Sequence, residues 1–168
     1  MKKLILVLAL AFVGTFTFAQ DKNVVEAASA SKDHTTLVSA LKAAALVETL
    51  QGAGPFTVFA PTNAAFDKLP DGTVANLLKP ENKPQLTKVL TYHVLSGKFT
   101  SEDVVNAIKK GNGQATFKAV SGDSIIAMLD GDKVVLKDEG GNTSTVVAAD
   151  LEQSNGIIHV VDTVVLPQ

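Results

Sequence analysis

Three histidines, one tyrosine and a scatter of carboxylates are the side chains of this 168-residue chain with the most obvious chemistry. His93 follows Tyr92 and falls on an apolar stripe with Leu86, Val89, Leu90 and Val94. A histidine there could be a general base or a ligand. It could equally be a core side chain, which must find hydrogen-bond partners because a buried polar group without them is costly. The turn residues Thr62 and Asn63 are the expected partners. His159 and Asp162 lie three apart in an apolar run. Residues three apart in a strand point to opposite faces, so these two do not form a side-by-side pair. With His34 they complete the histidine count. The chain has no cysteine, which excludes disulfides, thiolate metal sites and a cysteine nucleophile. Scattered histidines without an H-x-x-x-H helix pattern do not make a metal site. No G-x-S-x-G elbow is present. Asp130, Asp132 and Asp138 flank a hairpin, but D-x-D without the rest of a loop motif is a poor calcium signature. Asn142-Thr143-Ser144 matches a glycosylation sequon and reads first as a hairpin turn. The expectation is no catalytic residue, no metal, no cofactor and no enzyme activity.

The elements that must position these groups change character along the chain. From Thr35 to Leu50, Leu37, Val38, Leu41, Ala44 and Ala45 recur at helical spacing, and Gly52 and Gly54 mark the end. Phe56 to Ala60 is apolar on both faces and predicts a buried strand, with Phe59 as a core anchor. Thr62 can cap a short helix carrying Phe66, and Thr73 to Leu78 is another short helical stretch. Pro84 suits the first turn of the helix that carries Tyr92 and His93, which Gly97 is expected to end. Thr100 and Asp103 have capping-box spacing before a helix reaching Lys110. After Gly113 the spacing predicts strands at Thr116–Val120, Ser124–Leu129, Lys133–Lys137, Thr143–Ala149 and Ile157–Leu166. The last is apolar on both faces, so it should be central.

The chain starts with Lys2 and Lys3, an apolar run from Leu4 to Val13, and Thr17-Phe18-Ala19. That is the pattern of a secretory signal peptide cut after Ala19. Residues 1–19 are therefore expected to be a leader, and residues 20–168 a single domain, exported to the periplasm or beyond, with no membrane span in its mature form. The formal charge is −2, and every basic residue is lysine. There is no concentrated basic face for nucleic acid and no arginine fork for phosphate.

Three segments carry a resemblance. They are Gly54-Pro55-Phe56-Thr57-Val58-Phe59-Ala60-Pro61-Thr62-Asn63-Ala64-Ala65-Phe66, then Leu90-Thr91-Tyr92-His93-Val94-Leu95-Ser96-Gly97, then Asn155-Gly156-Ile157-Ile158-His159-Val160-Val161-Asp162-Thr163-Val164-Val165-Leu166-Pro167. In order and spacing they resemble the first box, the tyrosine–histidine motif and the second box of the fasciclin (FAS1) family. The resemblance runs from about Asn23 to the C-terminus. It implies an α+β fold, a FAS1-like wedge-shaped β-sandwich with several helices packed at one edge. It implies that Phe59, Thr62, Asn63, Phe66, His93, Gly156, His159 and Asp162 are structural motif residues, and it attaches a binding role to Tyr92 and His93. It also implies a bacterial, secreted, single-domain binding module for adhesion to a protein or polysaccharide on a cell surface or matrix. The Arg-Gly-Asp tripeptide and the acidic-isoleucine motifs of the animal adhesion domains are missing, so integrin binding is not implied. The rival reading is a carrier or sensor of a small apolar or polysaccharide ligand. An apolar-walled pocket on the order of a few hundred Å³ would fit the carrier. A flat exposed apolar patch outside the three motifs would fit adhesion.

Overall fold

The computed structural model describes residues 22–168. The expected leader and its cut before Gln20 lie outside them. Seven strands form one sheet in the order β2-β1-β7-β6-β5-β4-β3, in which β1 (Phe56–Pro61) runs parallel to β7 (Gly156–Val161) and every other pair is antiparallel. The remaining strands are β2 (Val94–Ser96), β3 (Gln114–Lys118), β4 (Ser124–Asp130), β5 (Lys133–Lys137) and β6 (Thr143–Gln153). The sheet curls until its ends almost meet: Leu95 bridges Ala119, and the Val120 N–H donates to the Val94 carbonyl at 2.8 Å. Helices α1 (Val24–Ala30), α2 (Thr35–Ala43), α3 (Val47–Leu50), α4 (Asn63–Asp67), α5 (Thr73–Leu77) and α6 (Lys83–Tyr92) pack against one face, and α7 (Ser101–Lys110) packs on β3, β4 and β5.

The central strands explain the two cores. On β1 and β7, Val58, Ala60, Ile158 and Val160 join the helical cluster with Leu37, Leu41, Phe66 and Leu90. The alternate residues Phe59 and Val161 enter the curled interior with Leu95, Ile108, Ile125 and Leu136. A strand buried on both faces reads as an unbroken apolar run, which is how both were legible.

Several boundaries differ from the sequence reading. The expected helix Thr35–Leu50 breaks at Ala45, which adopts φ 58°. Its N–H donates to Lys42 and that of Leu46 to Leu41, a Schellman ending made without the usual glycine. The helix expected to run to Gly97 stops at Tyr92, and β2 begins at once. The reason is His93, whose ring takes the Val89 carbonyl that a continuing helix would offer to its backbone N–H. The last strand ends at Val161, short of Leu166. Helix α1 was not expected. It is set by a capping box in which Asn23 accepts from Val25 and Glu26, and the Glu26 carboxylate accepts the Asn23 N–H.

Candidate functional site

The chemistry-bearing residues gather where β1, β7 and the end of α6 meet, but their polar atoms are directed at backbone. Tyr92 is fully buried, and its hydroxyl donates to the Ser124 carbonyl at 2.7 Å. Burial, together with the charges of Asp138 and Glu139, pushes its phenol up to about 12. His93 is 2% exposed. Its Nδ1 lies 2.8 Å from the Val89 carbonyl, and its Nε2 accepts the Val165 N–H at 3.2 Å. A carbonyl can only accept and an amide only donate, so the ring is neutral with its proton on Nδ1. Burial holds its pKa down at about 4. Thr62 and Asn63 are not its partners. Thr62 caps α4 by accepting the Ala65 N–H. Asn63 accepts from the Thr36 N–H and donates to the Lys32 carbonyl, which ties the start of α2 to α4.

His159 is equally buried, stacked on Phe59 with ring centroids 5.7 Å apart. Its Nδ1 accepts the Asp150 N–H at 3.3 Å, and its Nε2–H donates to the Phe99 carbonyl at 2.8 Å. Ser101, Asp150 and His159 thus converge, but not as a nucleophilic triad. The Ser101 hydroxyl and N–H both go to the Asp150 carboxylate, and neither ring nitrogen of His159 is left for a serine. Partial burial pushes the Asp150 carboxyl up, but the two Ser101 bonds and the nearby His159 outweigh it and hold it below the usual range. Asp162 is turned away from His159. It accepts the Thr145 N–H at 2.9 Å. Phe66 is buried in the helical cluster. Gly156 sits so close to β1 that a Cβ would lie 2.1 Å from the Phe56 carbonyl oxygen.

Of the hairpin aspartates, Asp138 is buried and spends its carboxylate on Asn142 and the Leu166 N–H. Among the described residues no group of three or more His, Asp or Glu side chains converges as a metal site. Two polar hubs were not legible. Asn155, read as a turn residue, accepts the Val24 N–H and donates to the Leu50 and Gly52 carbonyls. Thr57 donates to the Gly97 carbonyl and accepts the Phe99 N–H. The partners of each hub are remote in sequence, so no local pattern announces them.

Two features face solvent. A cavity of about 270 Å³ lies beneath α7, walled by Phe59, Val104, Val105, Val134 and Val146, with Ser101 and Lys133 among its polar groups. The second feature is β6. Ala148 pairs with Val160 and Leu151 with Ile158, so this part of β6 continues the sheet face that the helices cover elsewhere. Here the cover stops, and Leu151 is 43% exposed; Val147, at the bulge between Val146 and Ala148, is 54% exposed.

The fasciclin domain family model matches residues 32–167. The chain belongs to the fasciclin domain family. Protein sll1483 of Synechocystis is 47% identical over 148 residues, covering 86% of this chain and 73% of that protein. Cell surface glycolipoprotein MPB83 of Mycobacterium bovis is 34% identical over 154 residues, covering 89% of this chain and 62% of the relative. A solved FAS1 domain pair from the insect cell adhesion molecule fasciclin I superposes with a TM-score of 0.74 at 19% identity, covering 86% of this chain and 51% of that one. The α+β FAS1 fold is thereby shown. Among the described residues no helix is long and apolar enough to cross a membrane.

Proposed function

We propose that this fasciclin domain is an exported binding module, not an enzyme, and that it attaches to a protein on a cell surface or matrix through the uncovered face of β6. The observation that carries this reading is the exposure of Leu151 on a sheet face whose continuation is core, with Val147 exposed at the bulge of the same strand. Isolated surface apolar residues are ordinary, but two large ones exposed along one uncovered strand suit a protein partner. A cell surface glycolipoprotein and a cell adhesion molecule among its relatives support the setting. Tyr92 and His93 serve this function indirectly, by holding the fold, since neither side chain reaches solvent. A pull-down of the protein against intact cells, cell-wall polysaccharide and matrix proteins tests the proposal. Binding to a protein fraction, lost in Val147→Asp and Leu151→Asp variants that still melt like wild type, is the expected result. Binding to polysaccharide alone, or binding that survives both substitutions, overturns it.

The cavity beneath α7 favours a second reading, a carrier of a small apolar ligand. Val105→Phe would fill it. Saturable uptake of an apolar dye that this variant abolishes supports the carrier, and no saturable uptake removes it.

A further inference from the structure

Of the asparagines in this chain only Asn112 and Asn155 precede a glycine. That dipeptide carries chemistry of its own. Glycine has no side chain to shield its amide nitrogen or to restrict its backbone. The nitrogen can therefore reach the preceding carboxamide and attack it. The fold treats the two sites in opposite ways. Asn155 is locked. Its Oδ1 accepts the Val24 N–H at 3.0 Å, and its Nδ2 donates to the Leu50 carbonyl at 2.7 Å and the Gly52 carbonyl at 2.9 Å. Gly156 opens β7, paired with Gln153 on one side and Phe56 on the other. Turning the Asn155 carboxamide towards the Gly156 nitrogen would break all three side-chain bonds and disturb the join of β1 and β7.

Nothing of the kind holds Asn112. It lies with Gly113 in the exposed turn between α7 and β3, and its side chain makes no hydrogen bond among the described residues. Asn112 adopts φ 58°, the left-handed position past a helix end that glycine usually fills. Gly113 adopts φ 102°, with open space where a side chain would stand. One bond guards the site: the Gly113 N–H donates to the Ile108 carbonyl at 3.0 Å. It lies beyond the last residue of α7, at Lys110. Helix ends fray, and exposed terminal bonds open at far smaller cost than a packed strand junction.

We propose that Asn112 is a site of spontaneous deamidation and that Asn155 is spared. The Gly113 nitrogen loses its proton and forms a bond to Asn112 Cγ. The Cγ–Nδ2 bond breaks, and the carboxamide nitrogen takes up a proton and leaves as ammonia. The product is a succinimide ring. Water then adds to one of the two ring carbonyls and opens it. Opening at Cγ leaves an aspartyl residue. Opening at the main-chain carbonyl leaves an isoaspartyl linkage, with one more methylene in the backbone. Water is the only co-reactant. Either product places a carboxylate past the negative end of α7, beside Lys109 and Lys110 in its last turn.

The test holds the folded protein at mildly alkaline pH and samples it over days. Peptides are resolved by mass spectrometry, with aspartyl and isoaspartyl products separated by retention. Conversion at Asn112 should run at least about tenfold faster than at Asn155, since the two sites differ in the free energy of local opening. In protein unfolded by urea the two rates should come together, because the two dipeptides share the same intrinsic chemistry. Asn112→Gly suits the left-handed backbone and has no carboxamide. It should abolish the fast conversion in the folded protein. An Asn112 that stays intact in the folded protein, or an Asn155 that converts as fast, overturns the proposal. A rate ratio in urea as large as in the folded protein also overturns it, because the fold would then not set the choice.

Discussion

At the scale of single residues, burial decides what the chemically capable side chains can do. Tyr92 is the only tyrosine and the chain has no tryptophan, so its phenol is a clean reporter. Its folded pKa of about 12 lies above the ~10 of an exposed tyrosine. The stabilisation this represents is fully present below pH ~10 and is lost as pH rises towards 12. Tyrosinate absorbance should therefore stay flat through pH 10 to 11 while the protein is folded. A midpoint near 10 in the folded protein would show that the ring reaches water. Phe59 makes a complementary point. It fills the interior, stacks on His159 and belongs to a strand buried on both faces. Truncating a buried phenylalanine typically costs ~3–5 kcal/mol. Phe59→Ala should lower the denaturant midpoint by that measure, and an unchanged midpoint would remove Phe59 from the core.

At the scale of elements, the parallel pairing of β1 with β7 is the join on which both cores depend. Gly156 faces Phe56 in that register, and the two backbones are too close for a side chain. Gly156→Ala must push the strands apart. We expect a loss of more than 3 kcal/mol, above the usual range for a point substitution, read by chemical denaturation. A loss below 1 kcal/mol would mean that the register is wrong. Much of this element structure was legible. The two-faced apolar runs announced β1 and β7, the Thr100–Asp103 capping box announced α7, and turn dipeptides separated the later strands. Helix α1 escaped although its Asn23–Glu26 capping box is local; the rest was set by contacts distant in sequence or by atypical caps. Ala45 ends a helix in a conformation that glycine usually takes. His93 ends another with its own ring, and β2 forms because β1 offers it an edge. The His93 partners were misplaced for the same reason: Val165 is 72 residues away, and only the folded chain brings it close.

At the scale of the whole molecule, the chain divides into motifs that hold the fold and the β6 surface proposed to bind. His93 carries the sharpest test, because it joins α6 to the C-terminal segment at Val165 and was also expected in a binding role. Its folded pKa of about 4 lies below the ~6.5 of an unfolded histidine. The unfolded chain therefore binds the extra proton first. The stability His93 contributes is fully present above pH ~6.5 and is lost as pH falls towards 4, a change of roughly 3 kcal/mol. The decisive measurement is His93→Gln against wild type, with unfolding free energy followed from pH 7.5 to 4 and cell or matrix binding assayed on the folded fraction. The variant should be less stable at pH 7.5 by ~1–3 kcal/mol, should lose much of the acid dependence, and should bind as well as wild type per folded molecule. A variant that unfolds like wild type at every pH but no longer binds would contradict this division, and would place His93 in the binding surface.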